Sequence, residues 1–182
     1  MDSFYTQEEL AKIGFKKIGN NVLISKKASI YQPELIEIGN NVRIDDFCIL
    51  SGNIKIGNYV HISAYVALYG KFGIEIGDFC GCSARCTIYS ASDDFSGNYM
   101  ISPMVPDELT NVCGGKVIFE QYVQIGAGSV VMPNIKLNEG SCVGAMSFVN
   151  RNLDAWKIYA GIPCKIIKER SRKIEELRKK II

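Results

Sequence analysis

An apolar residue followed four places later by a small or apolar one recurs every six residues, from Ile18 to about residue 154. The clearest units are Ile38-Gly39-Asn40-Asn41-Val42-Arg43, Ile56-Gly57-Asn58-Tyr59-Val60-His61 and Ile76-Gly77-Asp78-Phe79-Cys80-Gly81. Ile125-Gly126-Ala127-Gly128-Ser129-Val130 and Val143-Gly144-Ala145-Met146-Ser147-Phe148 carry the same signature. Eighteen units can be placed, starting at 18, 24 and 30, at every sixth residue from 38 to 68, at 76, 82 and 88, and at every sixth from 119 to 149. Position one is apolar in each, and position five is small or apolar in all but one, which holds Glu34. Six is not a helical period, and strict alternation would turn position three inward as well. Position three is usually Asn, Asp, Ala or Pro, so the pattern predicts a short strand and a turn per unit, stacked as an all-β solenoid.

In such a stack positions one and five point inward, and successive coils share parallel backbone hydrogen bonds at a spacing of about 4.8 Å. Gly19, Gly39, Gly57 and Gly77 recur at intervals of eighteen to twenty, which predicts three units per triangular coil. Glycine tolerates turn dihedrals that other residues resist, and that is the expected reason for its placement. Beyond Leu68 the frame slips by two, because Ile74 and Ile76 compete for position one, and a corner bulge is expected there.

The flanks differ in kind. Thr6-Gln7-Glu8-Glu9 reads as a capping box that opens a short helix ending at Gly14. Residues 165–182 read as a terminal helix with Ile167, Ile174, Leu177 and Ile181 as an apolar stripe and an excess of Lys and Arg. The expected organisation is one domain over 1–182: a helical cap to residue 15, a solenoid over 16–154 and a C-terminal segment from 155.

Composition narrows the class. The chain has 182 residues and a net charge of +2, without the clustered basic face that a nucleic acid requires. No apolar run approaches the length of a membrane span, and Met1-Asp2-Ser3-Phe4-Tyr5-Thr6 is unlike a signal peptide, so a cytoplasmic protein with no membrane insertion is expected. Of seven cysteines, Cys48, Cys80 and Cys86 fall on position five and Cys82 on position one, which are core slots. The spacing of Cys80, Cys82 and Cys86 does not match a zinc knuckle, and no metal is expected.

From Tyr89 to Lys116 the rhythm stops. A long loop inside a regular stack is more often functional than accidental. This one carries Asp93, Asp94, Asp107 and Glu108 beside Tyr89, Phe95 and Tyr99, a chemistry suited to closing over a polar ligand such as a sugar. Gly114-Gly115-Lys116 is too short for a phosphate loop and reads as re-entry into the solenoid.

The hexapeptide units, the extruded loop and the ending Tyr159-Ala160-Gly161-Ile162-Pro163-Cys164-Lys165 resemble the hexapeptide-repeat acyltransferases, in the branch that acetylates galactosides, maltose and polysaccharide sugars. The resemblance covers roughly residues 15–170 and implies a left-handed parallel β-helix, an exception to the right-handed crossover rule. It implies a homotrimer with active sites in the grooves between subunits and acetyl-CoA lying along each groove. The CoA contacts it implies are Gly126, Ala127, Gly144 and Ala145, with Asn150 and Arg151 where the family often has Thr-Lys and Lys165 where it has a basic residue for the CoA phosphates. For Ala127 and Ala145 the competing reading is that packing between subunits demands small residues, and for Lys165 a solvated charged face.

The sugar O-acetyltransferases of this family place a catalytic His at the start of the loop. Here Asp93 stands there, after Ser92 and before Asp94, and the only histidine is His61, one coil earlier. The acceptor positions in that coil match Ser63 and Lys71. His61 reads either as a structural residue or as the group that takes or orients the acceptor proton. A sugar hydroxyl needs a positioned base, whereas an amine near the α-amino pKa of about 8 is partly neutral at cellular pH. The missing loop His therefore favours N-acetylation, in which Asp93, Asp94 or His61 need give the amine only weak assistance. The loop and coils are also similar to acetyltransferases acting on nucleotide-linked 4-amino-4,6-dideoxyhexoses in O-antigen synthesis, which implies dTDP-4-amino-4,6-dideoxyglucose as acceptor. O-acetylation with His61 as base and a non-catalytic solenoid scaffold remain the alternatives. The zinc carbonic anhydrase of the same fold needs three His ligands and is excluded.

Overall fold

A computed structural model describes residues 3–181. The chain winds as a three-faced parallel solenoid, and the register of its strands shows how the hexapeptides stack. On the first face Ile18, Ile38, Ile56, Ile76, Phe119 and Leu137 align coil upon coil. On the second the column is Ile24, Ile44, Ile62, Cys82, Ile125 and Val143. On the third it is Ile30, Leu50, Leu68, Ile88, Val131 and Val149. These position-one residues, with Cys48, Cys80 and Cys86 at position five, form one continuous core. Burial pushes the Cys48 thiol up to about 11 and Cys80 to about 12, the behaviour of packing groups rather than reactive ones.

The polar position three has its own function. Asn40, Asn58 and Asp78 each accept, through a side-chain oxygen, the backbone N–H of residue 20, 40 or 58 one coil away, at 2.7–2.8 Å. The sharp turns are made at position four by residues in the left-handed region, among them Asn41, Tyr59, Phe79, Tyr122 and Trp156 at one corner and Phe47, Tyr65 and Arg85 at the next. The glycines of position two do not take that conformation. A Cβ on Gly19 would lie 2.5 Å from the Gly39 carbonyl oxygen, and one on Gly39 2.5 Å from that of Gly57, so close approach between coils explains them. The corner conformation is unfavourable for side-chain-bearing residues. Stacking of successive rings offsets it, with centroids 4.9 Å apart for Phe47–Tyr65 and 4.8 Å for Tyr59–Phe79.

All three departures from the six-residue frame occur at the corner between the third and first faces. Glu34 and Phe72, predicted at inward slots, are exposed; Ile36 and Ile74 fill those slots after two extra residues in each coil. The bulge expected beyond Leu68 is this second insertion, seen as a register shift between strands Ile49–Ile56 and Ala67–Ile76. The third insertion is the long loop: Ser92 leaves the slot that it would occupy, and Val117 fills it from the far side.

The N-terminal helix Gln7–Ile13 has the predicted capping box at Thr6 and Glu9 and ends at Gly14, with Leu10 buried against the first coil. The C-terminal segment departs from the expected continuous helix. Lys165–Glu169 is a strand paired antiparallel with Lys157–Ala160, and the helix is confined to Lys173–Arg178. The last coil leaves an open sheet edge, and this strand covers it. Ile167, Leu177 and Ile181 of the expected stripe are exposed. Arg170 closes the segment onto the solenoid, donating from Nη1 to the carbonyls of Tyr122 at 2.7 Å and Gly140 at 2.9 Å.

Candidate active site

Parallel stacking lines up outward residues that are sixteen to twenty places apart in the chain, or forty-three across the loop. Along the edge where the second face meets its next corner, one row runs Asp45, Ser63, Ser83, Gly126 and Gly144, each joined to the coil above by its backbone N–H. Arg43 and His61 are cross-strand neighbours beside this row. Asp45 accepts from Arg43 Nε at 2.7 Å through one oxygen and lies 2.7 Å from His61 Nε2 through the other. Partial burial opposes ionisation of Asp45, but the bonds from His61 and Arg43 outweigh it and hold its carboxyl below the usual range. An ionised carboxylate can only accept, so Nε2 carries the hydrogen, and a neutral His61 presents a bare Nδ1. A groove of about 490 Å³ lies over Arg43 and His61, lined also by Ser63, Ser83 and Gln124.

The row continues into the expected cofactor positions. Ala127 and Ala145 are exposed and small, so a linear ligand could lie against the coil edge as far as Ser83 and His61. Gly126 is also required by packing, since a Cβ there would strike the backbone of Ala145. At the end of the solenoid Asn150 and Lys165 are exposed, and Arg151 donates to the Cys164 carbonyl at 2.8 Å.

The acceptor positions at the loop lie on a different edge. The loop leaves and returns as an antiparallel hairpin, Ala91–Asp93 against Val112–Gly114. Its root is tied down by the buried Ser90 hydroxyl, which donates to the Tyr69 carbonyl and accepts from Phe72 N–H, both at 2.9 Å. Tyr89 stacks on Tyr69 at 5.3 Å. Ser92 bonds the Asp93 carbonyl, Phe95 and Tyr99 are exposed, and Lys71 is exposed on the neighbouring bulge. Asp93 and Asp94 are not equivalent. Asp94 accepts Ser96 N–H at 2.7 Å and the Asn111 amide at 2.9 Å, and these bonds, Ser96 first, hold its carboxyl below the usual range. The Asp93 carboxylate makes no hydrogen bond or ion pair among the described residues and is the one available to a substrate.

Within one chain the structure thus unites His61 and Ser63 with the cofactor row, and Lys71, Tyr89 and Ser92 with Asp93, but it does not bring His61 to Asp93. Asp45, Arg43, Ser83 and Gln124 belong to the site and were not among the predicted residues. The coil period adds three of them: Ser63 shifted by one coil reaches Asp45 below and Ser83 above, and His61 shifted likewise reaches Arg43. Among the described residues no cluster of His, Cys, Asp and Glu is arranged to hold a metal.

The family model for bacterial transferase hexapeptide repeats matches residues 36–70. An Escherichia coli protein named dTDP-4-amino-4,6-dideoxy-D-glucose acyltransferase is 46% identical over 178 residues, covering 96% of this chain and 93% of its own. AntD, an N-acyltransferase from Bacillus cereus, was solved with dTDP and 3-hydroxybutyryl-CoA; it superposes with a TM-score of 0.96 at 58% identity, over 100% of this chain and 97% of its own. A variant of AntD bound to dTDP-4-amino-4,6-dideoxyglucose and coenzyme A gives a TM-score of 0.97 at 57% identity, over 100% and 98% of the two chains. A hexapeptide-repeat acetyltransferase from Vibrio cholerae shares the fold at a TM-score of 0.63 and 18% identity, over 94% and 82%. The three-faced coil is therefore the left-handed β-helix that the family resemblance implies, and identity sustained along both chains makes this chain a member of the hexapeptide-repeat acyltransferases.

Proposed function

We propose that the protein transfers an acyl group from acyl-CoA to the 4-amino group of dTDP-4-amino-4,6-dideoxyglucose. The observation that carries this is the end-to-end match to relatives named for that nucleotide sugar or solved with it and coenzyme A. The site fits it. The row from Ala145 and Ala127 to Ser83 is narrow-sided and suits a pantetheine chain ending at a thioester, and the available carboxylate at the hairpin is Asp93 where O-acetyltransferases of the family have His. The amine nitrogen attacks the thioester carbonyl carbon; a C–N bond forms and the C–S bond breaks. The ammonium proton passes to Asp93 or His61 and then to the departing CoA thiolate. Coil N–H groups stabilise the oxyanion between these steps.

Donor and acceptor residues occupy different edges of one prism, and a homotrimer in which the hairpin of one chain closes on the second face of the next would unite them. We further propose acetyl as the acyl group, the cytoplasm as location, and O-antigen assembly as the use of the product. Gly126, Ala127, Gly144, Ala145, Asn150, Arg151 and Lys165 would hold CoA, and Ser63, Lys71, Tyr89, Ser92, Phe95 and Tyr99 the sugar nucleotide.

O-acylation is a second reading, favoured by the Asp45–His61 pair, which has the orientation of an assisted base. Mass spectrometry with acetyl-CoA or 3-hydroxybutyryl-CoA and either the 4-amino or the 4-hydroxy dTDP sugar separates the two. Product from the amine alone is expected, and the preferred CoA ester identifies the acyl group. Product from the hydroxy sugar would replace the amine reading with His61-based O-transfer.

A further inference from the structure

In the second-face groove the side-chain amide of Gln124 is held at both of its ends. The outward positions Arg43, His61, Gly81, Gln124 and Cys142 stack in register, and of these Gly81 alone has no side chain. The Gln124 side chain lies over that gap. Its Nε2 donates to the Phe79 carbonyl at 3.1 Å, and a Cβ on Gly81 would strike its Oε1. A bond to a carbonyl requires the NH2 end, so the oxygen is the end held over Gly81. Oε1 accepts no hydrogen bond among the described residues. It is a fixed acceptor in the groove of about 490 Å³, close to Ser83, where the row suited to the pantetheine chain reaches this face.

We propose that Gln124 determines specificity for an amine over a hydroxyl, by accepting the N–H that an amine keeps throughout the transfer. The inference rests on the amine acceptor assigned above and adds the residue that recognises it. A neutral primary amine enters with two N–H bonds. One proton is lost as the C–N bond forms and the C–S bond breaks, and it ends on the CoA thiol. The other stays on nitrogen in the substrate, in the tetrahedral intermediate and in the amide product, so Oε1 is paired along the whole course. A hydroxyl has a single proton, which must leave as its oxygen attacks. Oε1 then faces an oxygen with no hydrogen between them, in a groove that the substrates have closed to water. An acceptor left unpaired in that way slows the transfer roughly ten- to a hundredfold. Neighbouring groups do not make this distinction. The Ser63 and Ser83 hydroxyls rotate and can donate as well as accept, and Asp45 is committed to Arg43 and His61. Gln124 turns its donor end to Phe79 and leaves only an acceptor in the groove.

The test compares kcat/KM for the 4-amino dTDP sugar and its 4-methylamino counterpart in the wild-type protein, Q124M and G81A. A secondary amine has one N–H, and acylation consumes it, so it lacks the proton that Gln124 accepts while remaining a competent nucleophile. The wild-type protein should prefer the primary amine by roughly ten- to a hundredfold. Methionine keeps the length of the side chain without the amide, and Q124M should bring the two rates together by slowing the primary amine alone. G81A, whose methyl displaces Oε1, should shift the preference in the same direction. Calorimetric binding of coenzyme A should be unchanged in both variants, which reports an intact fold. An unchanged preference in Q124M, or equal losses for both amines, would overturn the role of Gln124. Weaker binding of coenzyme A in Q124M would overturn it too, and give Oε1 to a pantetheine amide instead. Failure of the wild-type protein to acylate either amine would overturn both this inference and the acceptor on which it rests.

Discussion

Asp45 and His61 lie on successive coils, and their roles follow from what each atom can donate. Asparagine at position 45 would keep the size of the side chain while offering an N–H to Nε2, so the imidazole would no longer be held in one tautomer. With the amine acceptor, D45N should lower kcat by less than about tenfold and leave the KM for acyl-CoA unchanged, since an amine requires little base assistance. General-base work on a hydroxyl would make the loss about a hundredfold or more, and steady-state kinetics distinguishes the two. Asp93 and Asp94 separate in the same way: D93N should act on kcat, whereas D94N, which disturbs bonds to Ser96 and Asn111, should raise the KM for the nucleotide sugar. Neither distinction was legible in the chain, where the two aspartates are adjacent and alike. Their difference is that Asp94 lies just past the end of the hairpin strand, where Ser96 and Asn111 bond its carboxylate.

At the scale of elements, each coil adds one layer to three apolar columns. Ile62 is fully buried between Ile44 and Cys82, and I62A should cost about 2–5 kcal/mol, read as a lower melting midpoint, because stacked coils collapse little around a void. The thiols give a second measure of these layers. Cys48, Cys80, Cys82, Cys86 and Cys164 are buried, with burial raising the pKa of each, whereas Cys113 on the hairpin is exposed. A thiol reagent should modify Cys113 rapidly in the native protein and the buried five only on unfolding. The apolar period specified these layers and the capping box specified the first helix. The segment after Lys165 was misread because its Ile and Leu spacing also suits a helix. An unpaired sheet edge, invisible to local sequence, recruited its first five residues into a strand.

At the scale of the whole molecule, we propose that hairpin, solenoid and both ends unfold as one unit, and scanning calorimetry should then give a single transition. Glu9, Glu37, Asp45, Asp46, Asp94 and Glu120 all sit below the ordinary carboxylate range, held chiefly by hydrogen bonds from Lys26, Lys16, His61 with Arg43, Ser25, Ser96 and Lys136, against a desolvation that for Asp45 is the largest single influence. Their folded values lie under the unfolded ones, so the stability they contribute is complete above the unfolded range near 4 and declines as pH falls through the depressed values. The melting midpoint should be flat from neutrality to about pH 5 and fall below that. Sedimentation equilibrium should return three times the 20.2 kDa chain mass if hairpin and second face meet between subunits, and a monomer would leave donor and acceptor halves apart.

The sequence by itself determined the coil, its three columns of buried residues and the place of the loop, because burial imposes a period that can be counted along the chain. Outward residues obey no such period. Which of them meet was decided only by coil stacking and by insertions gathered at a single corner. Those set Asp45 against His61 and put Asp93 on a different edge from His61.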